Sequence, residues 1–173
     1  MSHDVSVEER VAALRQAFDQ SFARGLDEGK EEERDFVGFC FEREHFALPV
    51  GELAAVEKRR KLVRLPSAPR ACCGLAGVRG KLVAVYDLAA LLGFAASPEL
   101  RWLVVPRGAP GVAFGVARLE GYLRAPVSAL LARPVGPGDL SIATLSHGSA
   151  TLSVLSMQAL LSGLSMPGAG VAP

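Results

Sequence analysis

The feature that most constrains the fold is the stretch 36–94, where short apolar runs alternate with turns rich in glycine and proline. Runs of this length between turn residues are typical of β-strands. In residues 36–41, a period of two puts Val37, Phe39 and Phe41 on one face. Residues 46–50 form a second run, whose Pro49 suits an edge strand or a strand end. The stretch predicts a body that is mainly all-β.

Further strands and short helices are predicted along the rest of the body. A helical turn over 53–56 leads into a strand through Arg60, and 82–86 has the apolar continuity of a buried strand. Asp87 is placed to cap a short helix, 88–92, that ends at Gly93. Later strands are predicted at 101–106, 112–117, 121–124, 141–146 and 150–155. The strand-then-helix pattern of 83–92 recurs over 152–161, which two similar lobes would produce, although chance can also produce it.

The two ends of the chain fall outside this body. Residues 6–24 predict an amphipathic helix, because Ser6 and Glu9 have capping-box spacing and apolar residues recur at steps of three and four. Such a helix is marginal alone in water, so its apolar stripe should rest on the body or on a partner. Charged residues make 26–35 a linker, and the tail is predicted to be disordered. We therefore divide the chain into 1–35, 36–163 and 164–173.

Composition limits the kinds of partner and the compartment. The chain has 173 residues, half of them hydrophobic, and a formal net charge of +1, so its overall charge does not favour nucleic acid or an acidic membrane. We identify neither a secretory signal nor an apolar run long enough to span a bilayer. Cys40, Cys72 and Cys73 make a poor disulfide framework. We predict a cytoplasmic protein.

No set of residues predicts catalysis, a metal site or a cofactor. His3, His45 and His147 are scattered, with no cysteine or aspartate identified at zinc-ligand spacing, and we assign His45 to a turn and His147 to a hairpin. Ser146 lacks the nucleophile elbow of a hydrolase. The glycines at 74, 77 and 80 match neither the dinucleotide fingerprint nor the phosphate loop. We predict a protein that is not an enzyme and binds no metal or cofactor.

Two features point instead to a surface that docks other proteins. Gly74, Gly77 and Gly80 are predicted to form tight corners from which Arg79 projects. A basic cluster comprises Lys58, Arg59, Arg60, Lys61 and Arg64. This cluster can be a solvated edge strand guarded by charge, a protein-docking face or a nucleic-acid site. Nucleic acid is the least favoured of the three, because no aromatic residue interleaves with the basic run.

Several motifs, in their order and spacing, resemble the CheW domain, the adaptor of bacterial chemosensory arrays. The opening Phe-x-Phe and the run 46–50 are similar to that family's first strands. The signature continues as Leu65-Pro66-x-Ala68-Pro69, Gly74-Leu75-x-x-Val78-Arg79-Gly80, Val85-Tyr86-Asp87-Leu88 and Leu91-Leu92-Gly93. A weaker match continues in register to Leu161, so the resemblance covers 36–161.

The resemblance implies two tandem SH3-like five-stranded β-barrels with short helices. It also implies an adaptor that joins the cytoplasmic tip of a chemoreceptor to the regulatory domain of a CheA-type histidine kinase, without inserting into the membrane. The family's signature arginine falls on Arg79. We therefore expect receptor contact from Arg79, Val78, Val56, Gly77, Gly80 and Glu57. Kinase contact is expected from Lys58, Arg59 and Arg60.

The sequence departs from the family pattern at several positions. Ala55 stands where the family usually has an acidic residue, and Gly77 where it often has Asn. Loss of the acid at Ala55 removes an expected ionic partner on the arginine side of the surface, and Glu57 is a candidate replacement. These departures leave a second interpretation open, an accessory paralogue that binds only the receptor or only the kinase and tunes array composition. A small nucleic-acid-binding barrel is a remote third.

Overall fold

Two six-stranded sheets form the body in the computed structural model of the chain. The structure describes residues 31–59, 61–66, 71–134, 136 and 138–164. The strands are β1 (Glu33–Phe41), β2 (Glu44–Pro49), β3 (Leu53–Lys58), β4 (Leu62–Val63), β5 (Cys72–Val78), β6 (Lys81–Asp87), β7 (Trp102–Pro106), β8 (Val112–Val116), β9 (Leu119–Pro126), β10 (Leu130–Ala132), β11 (Ser141–His147) and β12 (Ala150–Leu155). The helices are α1 (Leu88–Leu91), α2 (Met157–Gly163) and two 3-10 turns, Val50–Glu52 and Val127–Ala129.

The two sheets are interleaved along the chain. Sheet A has the strand order β10-β11-β12-β2-β1-β9, and sheet B has the order β3-β7-β8-β6-β5-β4. The chain therefore starts in sheet A, crosses to sheet B for six strands and returns to sheet A. The prediction of tandem, five-stranded units was wrong on both points, because the β1–β2 hairpin pairs with β9 and β12 rather than with the strands that follow it.

Both sheets are strongly curled. In each sheet the two edge strands are consecutive in the chain, β9 and β10 in sheet A and β3 and β4 in sheet B. A flat sheet of six strands would hold its edges about 24 Å apart, at about 4.8 Å per strand. The four residue steps from Pro126 to Leu130, or from Lys58 to Leu62, span at most about 14 Å. Each sheet must therefore bend until its two edges approach each other.

Three groups of buried side chains stabilise this arrangement. The central core joins the two sheets and includes Phe39, Leu48, Val104, Phe114 and Leu160. The sheet A core lies inside one curl and includes Phe36, Ala47 and Leu145. The sheet B core lies inside the other and includes Val78, Val83 and Leu103. The central core takes side chains from both sheets. Without the other sheet, the apolar residues that each sheet contributes to this core would be exposed to solvent.

Two central strands of sheet B, β7 and β8, contribute to two cores and have no polar face. In β7, Leu103 and Val105 point into the sheet B core, whereas Val104 points into the central core. Burial on both faces explains why residues 102–106 form one apolar run rather than an alternating pattern. The same holds for β8, where Ala113 packs in the sheet B core and Phe114 packs in the central core.

Most predicted elements are present with small changes in their ends. Asp87 caps α1 as predicted, because its Oδ1 accepts from the backbone N–H of Ala89 at 3.0 Å. The helical turn expected at 53–56 instead occupies Val50–Glu52, and residues from Leu53 onward are extended. His45 lies in β2 rather than in a turn, while His147 ends β11 at the predicted hairpin. The short strands β4 and β10 were not predicted.

The structure of the glycine-rich segment, residues 74–80, differs most from its prediction. Residues 74–78 form most of β5 rather than a series of corners, and only Arg79 and Gly80 make the turn.

The predicted N-terminal helix, the first part of the charged linker and the tail from residue 165 lie outside the described residues. Among the helices in the described ranges, none has both the length and the apolar character needed to cross a bilayer.

Candidate protein-docking site

The loop between β5 and β6 has an unusual backbone. Val78 and Lys81 are paired, so only Arg79 and Gly80 form the loop. Their φ angles are +48° and +77°, the signs of a type I′ turn, whose twist matches that of the flanking strands. Glycine adopts such angles freely, whereas the left-handed region costs other residues roughly 1–2 kcal/mol. Strain of this kind tends to occur at functional positions.

Arg79 reaches from this loop to the edge strand β3. Its Nε donates to Glu57 Oε1 at 2.5 Å, while 68% of the Arg79 side chain and 31% of the Glu57 side chain remain exposed. A pair this exposed contributes at most about 1 kcal/mol to stability. The contact orients the guanidinium at the rim of sheet B without sequestering it. Its planar set of donors can still bind a carboxylate or the carbonyl groups at a helix end.

The alanine at position 55 does not weaken this site. Ala55 is 9% exposed and packs in the sheet B core, so its side chain points away from solvent. An acid at this position would be buried, where an unpaired charge is costly. Glu57, two residues further along β3, is the partner of Arg79.

The other residues predicted to contact a receptor divide into two groups. Gly80 lies in the loop itself, and Gly77 is exposed on β5, with open space where a Cβ would stand. Val78 is 6% exposed and packs in the sheet B core, and Val56 packs against the central core. The Val78 side chain is therefore not available to a partner in this structure, and Val56 is only partly so.

An apolar patch on the outer face of β4, β5 and β6 was not predicted. Leu82 is 73% exposed and Val63 is 55% exposed, so the prediction that all of 82–86 is buried was wrong at Leu82. Leu82 lies opposite Gly77 and Val63 opposite Leu75, which puts all three apolar side chains on one face, the outer patch. Gly77 has no side chain to cover Leu82. The strand register reveals this exposure, whereas the apolar sequence alone does not.

The basic cluster lies at the end of β3. Lys58 is exposed, and Arg59 is half-buried, with its backbone N–H donating to the Arg101 carbonyl at 2.8 Å. Lys58, Arg59 and Arg101 line a cleft of about 220 Å³ together with Glu99 and Leu100. Arg59 Nε is buried and has no hydrogen-bond partner in the part of the chain that the structure describes. Arg60 lies outside the described residues, and kinase contact by this cluster stays a prediction.

A larger cleft, of about 840 Å³, lies where the two sheets meet. It is lined by the first 3-10 turn, the β7–β8 loop, β11 and α2. Glu52 crosses between the sheets, because its Oε2 accepts from the backbone N–H of Met157 at 3.3 Å. Arg107 donates from Nε and Nη2 to the carbonyls of Gly51 and Leu53, each at 3.1 Å. Arg79 does not line this cleft, so the groove between the sheets and the arginine loop are separate features.

Two titratable side chains, Cys73 on β5 and Asp87 on β6, make hydrogen bonds within the fold. Asp87 is 2% exposed and accepts hydrogen bonds from the backbone N–H groups of Ala89 and Ser97. Burial, together with the Asp87 charge, raises the pKa of the Cys73 thiol. A thiol held in its protonated form is a poor nucleophile. Asp87 therefore holds α1 and the following loop in place, and the surroundings of Cys73 favour its thiol form.

The sequence matches the CheW-like domain family over residues 35–165. The chain belongs to this family. The matched residues include the strands of both sheets, and the resemblance inferred from the sequence motifs is confirmed. The crystal structure of the scaffolding protein TtCheW from Thermoanaerobacter tengcongensis has a similar fold, with a TM-score of 0.64 and 16% identity over 75% of this chain and 92% of that chain. No curated protein matches the sequence.

Membership of the CheW-like family identifies a scaffold or adaptor class in chemotaxis signalling. Sequence reasoning located the arginine at the hairpin tip and the glutamate that orients it. It did not locate the outer patch, because the exposure of Leu82 depends on the register of the β5–β6 hairpin. The only local signal for the outer patch was Gly77, whose missing side chain uncovers Leu82.

Proposed function

We propose that the protein is a non-enzymatic cytoplasmic adaptor that couples methyl-accepting chemoreceptors to a CheA-type histidine kinase. The observation that carries the proposal is Arg79, the residue at the position of the family's signature arginine. It is exposed, held at a positive φ and oriented by Glu57. The fold that presents it belongs to a family of scaffolding proteins. We further propose that the two curled sheets are the SH3-like barrels expected for this family.

The receptor face in this proposal combines Arg79, Glu57, Gly77 and Gly80 with the outer patch. A receptor tip built from two helices joined by a turn offers carboxylates and free carbonyl groups, which a guanidinium binds through charge-assisted hydrogen bonds. The outer patch, including Leu82, supplies apolar area that a partner can cover. In this proposal the hydrogen bonds of Arg79 orient the receptor tip, and burial of the outer patch contributes to the binding affinity.

The kinase face in this proposal is the basic cluster, including Lys58, Arg59 and Arg60. Lys58 and Arg59 line one cleft on the same sheet as Arg79. An adaptor that binds two partners at once raises the concentration of each near the other, and no chemical step is needed. If the receptor and kinase prefer different states of the complex, this coupling also shifts the kinase equilibrium.

The experiment that tests the proposal measures binding of the full chain to a receptor cytoplasmic fragment and to a kinase regulatory domain separately. Arg79→Ala should weaken receptor binding roughly 10-fold, the loss expected for a charge-assisted hydrogen bond. Arg124→Ala is the matched control, because Arg124 is also exposed, at 64%, and paired, but lies on sheet A. Its receptor affinity should equal that of the unmodified chain.

Three outcomes separate the interpretations. Binding to both partners supports the coupling role, and binding to only one supports the accessory paralogue. Binding to neither overturns the proposal. The accessory role loses part of its basis in this structure, because Ala55 is buried and Glu57 supplies the acid for Arg79.

A further inference from the structure

A cysteine, a histidine and a glutamate from three neighbouring strands of sheet A converge at one point. Cys40 on β1 lies directly opposite His45 on β2, and Glu120 comes from β9 on the other side of β1. Their ligand atoms, a sulfur, a ring nitrogen and a carboxylate oxygen, all lie within 4.8 Å of one another. We propose that these three side chains form a binding site for a divalent transition-metal ion, with zinc as the preferred occupant.

A β-bulge places Glu120 at this point. The β1–β9 register pairs Gly38 with Gly121 but Phe39 with Leu119, so Glu120 is the extra residue on β9. Bulges redirect side chains and are frequent next to functional sites. Gly38 also leaves room for this arrangement, since a Cβ there would lie 3.1 Å from the Leu123 side chain and 3.7 Å from Glu120 Cβ. The site is thus built into paired strands rather than into a loop.

The donor set suits zinc better than the common hard cations. Thiolate, imidazole and carboxylate all bind zinc, at bond lengths of about 2.0–2.3 Å. Calcium and magnesium prefer oxygen and would leave the cysteine unused. Tetrahedral bonds of zinc length put ligand atoms roughly 3.3–3.6 Å apart, so shifts of about 1 Å at the side-chain ends would close the site. His45 Nδ1 and Glu120 Oε2 are already 3.0 Å apart.

Within the described residues, the Cys40 thiol makes a longer hydrogen bond than the pair formed by His45 and Glu120. His45 and Glu120 form an ordinary partly exposed pair. Among the described residues, Cys40 donates one long hydrogen bond, to the Glu42 carbonyl at 3.6 Å. His45 and Glu120 also line a cleft of about 280 Å³, which gives an ion a route from solvent. Three protein donors leave one tetrahedral position for water.

Glu120 is far from Cys40 and His45 in the sequence, so a local sequence pattern does not reveal this site. Cys40 and His45 meet through the β1–β2 hairpin, and Glu120 is 75 positions from His45. The site belongs to sheet A, whereas Arg79 and the basic cluster belong to sheet B. The metal proposal is therefore independent of the adaptor proposal and can fail without it.

The test uses the full chain, without a histidine tag and freed of metal, titrated with Co²⁺ as a spectroscopic substitute for Zn²⁺. We expect one equivalent to bind with a thiolate-to-cobalt charge-transfer band, and Zn²⁺ to displace it. Cys40→Ser should abolish the band. His45→Gln and Glu120→Gln should each weaken binding by more than the roughly 10- to 100-fold lost when only an outer-shell partner is removed. Cys72→Ser is the matched control and should bind like the unmodified chain.

A band that persists in Cys40→Ser, disappears in Cys72→Ser, or is absent from the unmodified chain would overturn the proposal. Circular dichroism checks that each variant is folded. If Cys40→Ser does not fold, Glu120→Gln serves in its place, because Glu120 is exposed and its amide form has nearly the same shape. Unchanged cobalt affinity in that variant would equally contradict the site.

Discussion

At the β5–β6 loop, an arginine occupies a position where asparagine would fit the backbone better. The left-handed region is accessible to Asn at low cost, and Asn-Gly is a preferred pair for a type I′ turn. The exposed pair with Glu57 offsets little of the strain at Arg79. Stability and function therefore favour different residues at position 79, and one substitution can separate the two.

We predict that Arg79→Asn raises the free energy of unfolding while weakening receptor binding. Relief of the backbone strain should add about 0.5–1 kcal/mol, or roughly 1–4 °C in Tm. Thermal unfolding and a binding titration on the same protein check both halves. Arg79→Lys is the control, because it keeps the charge and the strain and should leave Tm unchanged. A lower Tm for Arg79→Asn would show that the arginine side chain is structural.

The hydrogen bonds that Asp87 accepts stabilise the fold. Its carboxylate is 2% exposed and accepts from Ala89 N–H at 3.0 Å, Ser97 N–H at 2.6 Å and Ser97 Oγ at 3.2 Å. We predict that Asp87→Ala lowers the free energy of unfolding by about 2–4 kcal/mol, because it removes a helix cap and leaves the buried Ala89 N–H and the part-buried Ser97 N–H unpaired. Ser97→Ala removes only the hydroxyl bond and should cost about 1 kcal/mol. Urea titrations measure both, and equal losses would be inconsistent with this account.

At the scale of single elements, the sequence predicts the strands and helices that are determined by residues close together in the chain. The period-two run of β1 and the Asp87-capped helix were predicted because their signals lie within a few residues of each other. β5 was missed because its glycines were interpreted as corners, although both glycines within the strand, Gly74 and Gly77, are paired with β6. The edge strands β4 and β10 are too short to have a periodicity. Leu82 was misplaced because its exposure depends on Gly77 in the neighbouring strand.

Two glycines of β5 provide a matched test of the local geometry. Gly74 has a φ of +136°, and a Cβ there would collide with the backbone carbonyl of Val63 on β4. Gly77 has nothing within 4 Å of the same position. We predict that Gly74→Ala destabilises the protein by at least about 2 kcal/mol, whereas Gly77→Ala changes stability by less than about 0.5 kcal/mol. Chemical denaturation compares them, and similar effects would contradict the assigned β4–β5 contact.

At the scale of the whole molecule, the interleaved topology joins the two sheets into one folding unit. The chain crosses between the sheets twice, and the central core draws side chains from both. Sequence patterns indicated two similar lobes but not this exchange of strands, because β1 meets its partner β9 only after the whole of sheet B has intervened. No local signal encodes a pairing at that separation.

We predict that both sheets unfold in one cooperative transition. Trp102, the single tryptophan, lies on β7 and reports on sheet B, whereas Tyr122 on β9 can be labelled to report on sheet A. Urea curves from tryptophan fluorescence, the sheet A label and circular dichroism should coincide. Two separated midpoints would show that the sheets fold independently.

The return of the chain to sheet A also determines when the nascent protein can complete its structure. The β1–β2 hairpin leaves the ribosome early, but the strand that pairs with β2 begins about 100 residues later, at Ala150. Translation at about 5–20 residues per second gives a wait of roughly 5–20 s. An isolated hairpin is marginal in water, so its phenylalanines stay accessible during this interval. Synthesis of this chain therefore passes through a stage in which an exposed aromatic segment is accessible to a chaperone.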